Sequence, residues 1–420
     1  MDFESDTKTS NDWYLLAPIL LDFIAGEHEY IQNWLNISVD RAENEGRAKH
    51  LKKIERFITN IPSLKLGRMP SDLARVLAYS SIANPALCSM RTIHKLWGND
   101  NDERTVLSHS IQFAELTSKL FNHEYSVPIL NRNIKESLLA GPNNSPGWYK
   151  VLVYCAHGNF QSMLDEYCHL LSTSGCNLSV ATDKLHKAMG IRSSTENVHF
   201  WEDSTKAKRE RSSSLRCHFA VPLGNQKLTE DSGLSRIVSV RDAFNSPFRP
   251  FVLTSTSIGQ EGLDFHWYCR RVVHWNLPNN PIDIEQREGR VNRYKSFVVR
   301  KRIAETYSVD FNDNTDIWFK LFEKATQQNE LRYSDLEPFW LTRKGTTQIE
   351  RIVPTYPMSK EVARYSDIKK ILVLYRLAFG QPRQQELLES FSHCNTESEI
   401  FKRIKDSLII HLAPMKMLFD

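Results

Sequence analysis

The stretch from Phe248 to Tyr294 constrains the fold of this chain more than any other part of the sequence. Phe251 to Thr254 is a short apolar run after Pro250, a pattern typical of a strand buried on both faces of a parallel sheet. The polar loop from Ser255 to Asp264 contains glycines and carboxylates. Open α/β sheets bind their ligands just past the C-terminal ends of such strands. The stretch therefore predicts an α/β fold with a ligand site at this loop.

A helix is predicted further along the same stretch. Asn280 is a suitable N-cap residue, and Pro281 suits the first helical position. Gln286, Arg290 and Arg293 are spaced by four and three residues, which predicts that all three project from one helical face. Two permanently charged guanidinium groups beside an amide could stabilise negative charge on a transferring phosphoryl group. The alternative is an ordinary solvated basic face.

Two sequence motifs favour the first interpretation. TSTSIGQEGLDF precedes a second predicted strand at Arg271 to Trp275, and QREGRVNRY follows it. Both resemble motifs V and VI of superfamily-two helicases and translocases, in order and at the usual separation. The sequences of both motifs are most similar to those of large bacterial helicase-related proteins of the chromatin-remodeller type. The resemblance implies a RecA-like C-terminal lobe, with a parallel sheet and flanking helices.

The resemblance also implies roles for individual residues. Arg290 and Arg293 would be catalytic finger residues that reach the γ-phosphate of ATP across a cleft between two lobes, and Gln286 would help to bind the nucleotide. The motif V residues that would bind ATP and couple it to nucleic acid, with the aspartate near the ribose, are Glu261, Gly262 and Asp264. The residues that would contact the nucleic-acid backbone are Thr254 and Thr256.

The start of this lobe is predicted from Tyr149 to Tyr154, YKVLVY, a β-rich run. A short loop and a helix with apolar residues at 3.6-residue spacing follow it, and Gly175 lies just past the helix. The run stands where helicase motif IV would. His157 and Asn159 in the loop could bind a nucleic-acid phosphate through the helix N-terminus. An ordinary strand-to-helix turn is the alternative.

Two basic clusters lie outside these motifs. The first is in an insertion at about residues 176–235 and is predicted to be a mobile loop, either near nucleic acid or merely a solvated linker; it comprises Lys206, Lys208, Arg209 and Arg211. The second follows the arginine helix, and its interleaved aromatic residue suggests contact with a DNA or RNA backbone. It comprises Tyr294, Lys295, Arg300, Lys301 and Arg302.

The sequence contains no GxxxxGK[ST] phosphate loop and no DEAD-like or DEAH-like strand end. In the family that it resembles, the lysine of that loop and the Mg²⁺-binding acid belong to a preceding RecA-like lobe. ATP and Mg²⁺ would therefore be bound mainly by an N-terminal lobe, missing here or separately encoded. The enzyme class would be that of a helicase ATPase, but the chain is not expected to hydrolyse ATP alone.

The chain divides into three predicted parts. Residues 1–145 form a helical leader or inter-lobe segment, residues 146–305 the RecA-like lobe, and residues 306–420 an α-rich C-terminal subdomain. The apolar patch from Trp13 to Ile24 is interrupted by Pro18 and Asp22 and is too short to span a membrane. Seven cysteines without a CxxC pair indicate reduced thiols, no metal site and a cytoplasmic protein. A bacterial origin is implied by the resemblance alone. The net charge of +4 says little about partners.

Together these features predict the C-terminal half of an ATP-dependent helicase or translocase that acts on DNA or RNA. The alternative from another class is a non-catalytic adaptor that binds nucleic acid or protein and is derived from such a lobe. An adaptor released from ATP chemistry would have no need for Gln286, Arg290 and Arg293 together. All three are present.

Overall fold

The computed structural model describes most of the chain. The described residues are 10–29, 31–33, 45–61, 65–123, 126–136, 146–189, 194–202, 209–217, 240–248, 250–254, 264–310, 315–328, 336–378, 383, 386, 389, 399, 403 and 406–407. They are mostly helical. The chain divides into two compact units, one made of Met1–Arg91 and Phe121–Ser162, the other of Thr92–Leu120 and Met163–Asp420.

The helices and strands are numbered in chain order. The helices are α1 (Asp12–Ile24), α2 (Glu45–Thr59), α3 (Leu73–Ala83), α4 (Pro85–Trp97), α5 (Glu103–Phe121), α6 (Val127–Glu136), α7 (Gly147–Ala156), α8 (Asn159–Thr173), α9 (Leu178–Met189), α10 (Pro281–Gly289), α11 (Phe297–Thr306), α12 (Ile317–Gln327) and α13 (Glu361–Ala378). The strands are β1 (Ser194–Glu202), β2 (Arg209–Cys217), β3 (Arg271–Val273) and β4 (Glu350–Ile352). Residues 240–244 are also helical.

The core of the first unit forms where α1 and α2 bury their apolar faces. Leu16, Leu20 and Ile54 are at most 5% exposed in one cluster. The indole nitrogen of Trp13 donates a hydrogen bond of 2.9 Å to the carbonyl oxygen of Gly67, which satisfies the buried polar end of the ring. Helices α2 and α3 give this region the helical structure that was predicted for it.

The strand predicted at Tyr149 to Tyr154 is wrong, because these residues lie within helix α7. Tyr149, Leu152 and Val153 are buried together with Val76 of α3. Their spacing of three and one fits a helical face as well as it fits a short buried run, and such runs are ambiguous. Packing on α3 therefore decides for the helix, and the loop at His157 connects two helices.

The insertion contains regular structure where a mobile loop was predicted. Helix α9 opens it, and β1 and β2 form an antiparallel hairpin whose register runs from Ser194 opposite Cys217 to Glu202 opposite Arg209. Arg209 and Arg211 therefore belong to a strand, which corrects that prediction. Lys206 and Lys208 lie outside the described residues.

Strands β3 and β4 form a small parallel sheet in the second unit. Arg271 is paired with Glu350, and Val273 with Ile352. The strand predicted to reach Trp275 is therefore confirmed in part, and its neighbour comes from the far C-terminal region. The buried strand predicted from Phe251 is wrong. Phe251 and Val252 are 74% and 79% exposed, so this run gains none of the burial that stabilises a central parallel strand.

Two clusters form the core around the predicted arginine helix. Helix α10 packs on α13 through Ile284, Leu277, Ile368 and Leu372. Helix α11 packs on α12 through a second set, namely Val299, Ile303, Leu321, Phe322 and Ala325. Within the described ranges, no helix is both long and apolar enough to cross a membrane.

Candidate functional site

Helix α10 begins as its sequence predicts. The side-chain oxygen of Asn280 accepts a hydrogen bond of 3.0 Å from the backbone N–H of Ile282, and Pro281 occupies the first turn. The helix ends at Gly289, and Arg290 is its C-cap. Arg293 therefore lies beyond the helix, which corrects the prediction that Gln286, Arg290 and Arg293 share one helical face.

The turn that follows α10 nevertheless brings both arginines together. Residues 290–297, the arginine loop, are tied by backbone hydrogen bonds to residues 264–268, the acid segment. The N–H of Phe265 donates to the carbonyl oxygen of Arg290 at 2.9 Å, and the N–H of Phe297 donates to that of His266 at 2.8 Å. These backbone bonds bring Asp264 close to the arginines.

Asp264 lies against both guanidinium groups. The Nε of Arg293 donates to Oδ1 of Asp264 at 3.0 Å, and Nη1 of Arg290 lies 3.9 Å from the same oxygen. The three side chains are exposed by 46% for Asp264, 34% for Arg293 and 21% for Arg290. The Nε of Arg290 is buried and has no hydrogen-bond partner among the described residues. Because all three side chains are partly exposed, a further anion could reach this ion pair.

A cleft of about 210 Å³ lies beside Asp264. Its lining combines aromatic, amide and charged side chains, namely Tyr167, Leu171, Lys184, Arg241, Asp242, Asn245, Asp264, His266 and Trp267. The Nδ2 of Asn245 donates to the carbonyl oxygen of Asp264 at 2.7 Å and so fixes the acid segment at this wall. Burial, followed by the positive charges of Arg300 and Arg293, outweighs the effect of Asp264 and lowers the pKa of His266 to about 4. The ring is therefore neutral at pH 7.

Beneath the arginine loop is a buried polar network. Arg300 of α11 is 1% exposed, and its Nη1 donates to the carbonyl oxygen of Lys295 at 2.6 Å. Its other nitrogens donate to the carbonyl oxygen of Trp267 and to Glu166, the latter with Nε at 2.9 Å. The Nζ of Lys295 lies 3.3 Å from Nε2 of His169. The opposite ring nitrogen of His169 contacts Asp316.

This network corrects the prediction of nucleic-acid contact for Lys295 and Arg300, which are buried, whereas Tyr294 and Lys301 are exposed. Lys295 is 6% exposed, and burial lowers the pKa of its ammonium group despite the nearby Asp316. Arg302 donates to the carbonyl oxygens of Thr342 and Thr347. These cations hold the protein interior together. The burial of Arg300 could have been predicted from the sequence, because Arg300 lies three residues before the buried Ile303 and so shares its helical face.

Helix α10 is further fixed by Glu288, which the sequence did not single out. Arg351 of β4 binds both carboxylate oxygens of Glu288, with Nη2 at 2.7 Å from Oε2. The Nε2 of His274 lies 3.3 Å from Oε1. Burial opposes ionisation of Glu288, but the hydrogen bonds from His274 and Arg351 outweigh it and lower its pKa to about 2.

Helix α13 holds the other end of α10. The Nη2 of Arg364 donates to the carbonyl oxygens of Leu277 and Pro278, both at 3.2 Å, and to Oδ1 of Asn279 at 2.5 Å. Arg376 contacts Glu285. The C-terminal region, which had no chemical role from the sequence, therefore positions the helix that leads to the arginines.

The remaining predicted site residues are placed separately. Gln286 is exposed on α10, and Thr254 is exposed in a segment without regular structure. His157 is the exposed C-cap of α7, and Asn159 is the first residue of α8; both belong to the first unit. Thr256, Glu261 and Gly262 lie outside the described residues. No three His, Cys, Asp or Glu side chains in the described ranges lie close enough to hold a metal ion.

Comparison with known proteins agrees with this geometry. Residues 229–295 match the helicase conserved C-terminal domain family, and this range contains Asp264, α10 and both arginines. No curated protein and no solved structure matches the chain. The chain thus contains a helicase C-terminal domain, which relates it to the superfamily-two helicases.

Proposed function

We propose that this chain is the C-terminal half of an ATP-dependent nucleic-acid helicase or translocase. Arg290 and Arg293 would be its contribution to an ATP site completed by a lobe that carries the phosphate loop. The observation that supports this best is the convergence of both guanidinium groups on Asp264 within the matched domain. Two arginines held at one exposed point suit recognition of a phosphate group.

The ion pair with Asp264 would be exchanged when a nucleotide binds. Exposed ion pairs contribute only about 0–1 kcal/mol, and this carboxylate is nearly half exposed. A γ-phosphate carries more negative charge than a carboxylate and accepts more hydrogen bonds, so it would draw the guanidinium groups away from Asp264. Asp264, once released, would be available to ribose hydroxyls.

The arginines would then act on charge that develops as the bond to the γ-phosphoryl group breaks. ATP supplies the transferred phosphoryl group, and Mg²⁺ would be held by the partner lobe. Arg290 and Arg293 would stabilise the developing charge as fixed donors, an effect worth about 10³–10⁵ in rate for arginine fingers. Gln286, Glu261 and Gly262 would complete the nucleotide side of the site.

Nucleic acid, either DNA or RNA, would be the second partner. Its backbone would be contacted by Thr254 and Thr256, and by His157 and Asn159 at the turn between α7 and α8. Thr254 and His157 are exposed, as residues that contact a backbone must be. Opening and closing of the two lobes would move the strand. A bacterial cytoplasmic setting is part of this proposal.

The adaptor alternative is favoured by one observation, the absence of a GxxxxGK[ST] loop from the sequence. Such an adaptor would bind nucleic acid or protein without any preference among nucleotides. Nucleotide selectivity therefore separates the two functions.

Titration of the purified chain, together with a RecA-like lobe that carries the phosphate loop, with fluorescent mant-ATP and mant-ADP tests the proposal. We expect ATP to bind at least about tenfold more tightly than ADP, corresponding to about 1.4 kcal/mol. The Arg290→Ala, Arg293→Ala double variant should bind both nucleotides equally, whereas Lys119→Ala, an exposed cation on α5, should retain the preference. Equal affinities in the unsubstituted chain, or a preference that survives the double variant, would favour the adaptor.

A further inference from the structure

We propose that Arg300 is the positioning residue that sets the arginine pair for phosphate recognition. Its guanidinium group joins three separate pieces of the second unit. It donates to the carbonyl oxygen of Lys295 in the arginine loop, to that of Trp267 in the acid segment, and to the carboxylate of Glu166 in α8. The effect on phosphate recognition rests on the proposed function, whereas the positioning role rests on these contacts of Arg300.

The contacts of Arg300 explain why an arginine is required at this position. A guanidinium group presents five N–H donors in a rigid fork, and here all three of its nitrogens are hydrogen-bonded. It also lies 5.4 Å from the centre of the Tyr268 ring. A lysine donates from a single nitrogen and cannot reproduce the planar fork that brings three separate nitrogens to these acceptors. A buried charge with acceptors left unpaired is costly, so the surrounding segments would shift.

The arginine loop needs such a support because its backbone takes an unfavourable conformation at Lys295. Lys295 has a φ of 48°, which is in the left-handed region that residues with a Cβ seldom adopt. Its N–H donates to the carbonyl oxygen of Phe339 at 2.7 Å while its own carbonyl oxygen accepts from Arg300. The loop is thus held at this residue from both sides. Arg293, which bonds Asp264, lies only two residues earlier.

The acid segment is held by the same side chain. Arg300 binds the carbonyl oxygen of Trp267, three residues after Asp264, and the backbone bonds from Phe265 and Phe297 join this segment to the arginine loop. Both partners of the ion pair are therefore fixed relative to one buried group. Loss of Arg300 should change the geometry between Asp264 and Arg293 even where no nucleotide is present.

The chain offers a matched control on the same helix. Arg302 of α11 also donates to backbone carbonyl oxygens, but these belong to Thr342 and Thr347 rather than to the arginine loop or the acid segment. Arg300→Lys and Arg302→Lys make the same chemical change two residues apart. A merely structural role would give both variants similar effects.

Two measurements on the full chain test the proposal. In ¹⁵N-arginine NMR spectra, the Nε–Hε signal of Arg293, identified by its loss in Arg293→Lys, should move in Arg300→Lys and stay in place in Arg302→Lys. In the mant-nucleotide titration, Arg300→Lys should reduce the preference for ATP over ADP at least about fivefold with little change in ADP affinity, and Arg302→Lys should leave it intact.

The outcomes separate the two proposals. No ATP preference in the unsubstituted chain would contradict the proposed function, while the NMR comparison would still decide the positioning role. An unmoved Arg293 signal in folded Arg300→Lys, or equal shifts in both variants, would overturn the positioning role. If Arg300→Lys does not fold, Glu166→Gln replaces it, because it removes one charge and keeps both backbone acceptors. An unmoved Arg293 signal there would overturn the proposal equally.

Discussion

Glu288 should make the stability of the chain depend on pH in a defined range. Its pKa of about 2 lies below the ordinary value of 4.5 because His274 and Arg351 bind its carboxylate in the folded state. A carboxyl group whose pKa is depressed by folding stabilises the folded state above its unfolded pKa. This stabilisation should therefore be complete above about pH 4.5 and be lost as the pH falls toward 2.

The size of the effect follows from the same shift. A depression of this size corresponds to at most about 3 kcal/mol, and solvent screening of a partly exposed carboxylate reduces the expected contribution to about 1–2 kcal/mol. At pH 7, Glu288→Gln should lower the free energy of unfolding by this amount. The difference between the two proteins should shrink as the pH falls.

Urea unfolding followed by circular dichroism from pH 7 to pH 3 measures this difference. Glu323→Gln, which removes an exposed carboxylate of α12, is the matched control and should change little. Arg351→Gln combined with Glu288→Gln completes a double-mutant cycle, with an expected coupling of about 1–2 kcal/mol. A difference between the unsubstituted chain and Glu288→Gln that stays constant across the pH range would refute this reasoning.

Three further predictions follow from burial. Ile284→Ala should lower the free energy of unfolding by about 2–5 kcal/mol in urea titrations, because Ile284 is fully buried between α10 and α13; a loss below 1 kcal/mol would contradict this packing. In ¹H NMR titrations His266 should have a midpoint near its pKa of about 4, and a midpoint near 6.5 would show a solvated ring. Ellman's reagent should leave three buried thiols of the folded chain unreacted, namely Cys88, Cys155 and Cys168. Fast modification of any of them would contradict their burial.

The sequence predicted those parts of the structure that depend on local chemistry. Asn280 and Pro281 mark the start of α10 because capping and proline geometry act within one turn. The helices of the N-terminal region follow from apolar spacing in the same way. The motif that contains Arg290 and Arg293 could also be recognised in the sequence, although helix α10 ends before either residue.

The parts that the sequence did not predict depend on distant partners. The run from Tyr149 becomes a helix because it packs on α3, and β3 pairs with β4 from a region almost eighty residues away. Arg300 was interpreted as a surface cation because its acceptors, among them Glu166, are supplied by other segments. The domain boundaries at 145 and 305, and the roles of the individual site residues, remain predictions.

ATP hydrolysis tests the central claim of a shared site most directly. The purified chain would be assayed with and without single-stranded and double-stranded DNA and RNA, then together with a RecA-like lobe that carries the phosphate loop. We expect no turnover by the chain alone, and turnover with the lobe that falls by about 10³-fold or more in the Arg290→Ala, Arg293→Ala variant. Nucleic-acid-stimulated turnover by the chain alone that the double variant abolishes would contradict a shared site, because the chain would then be a complete motor.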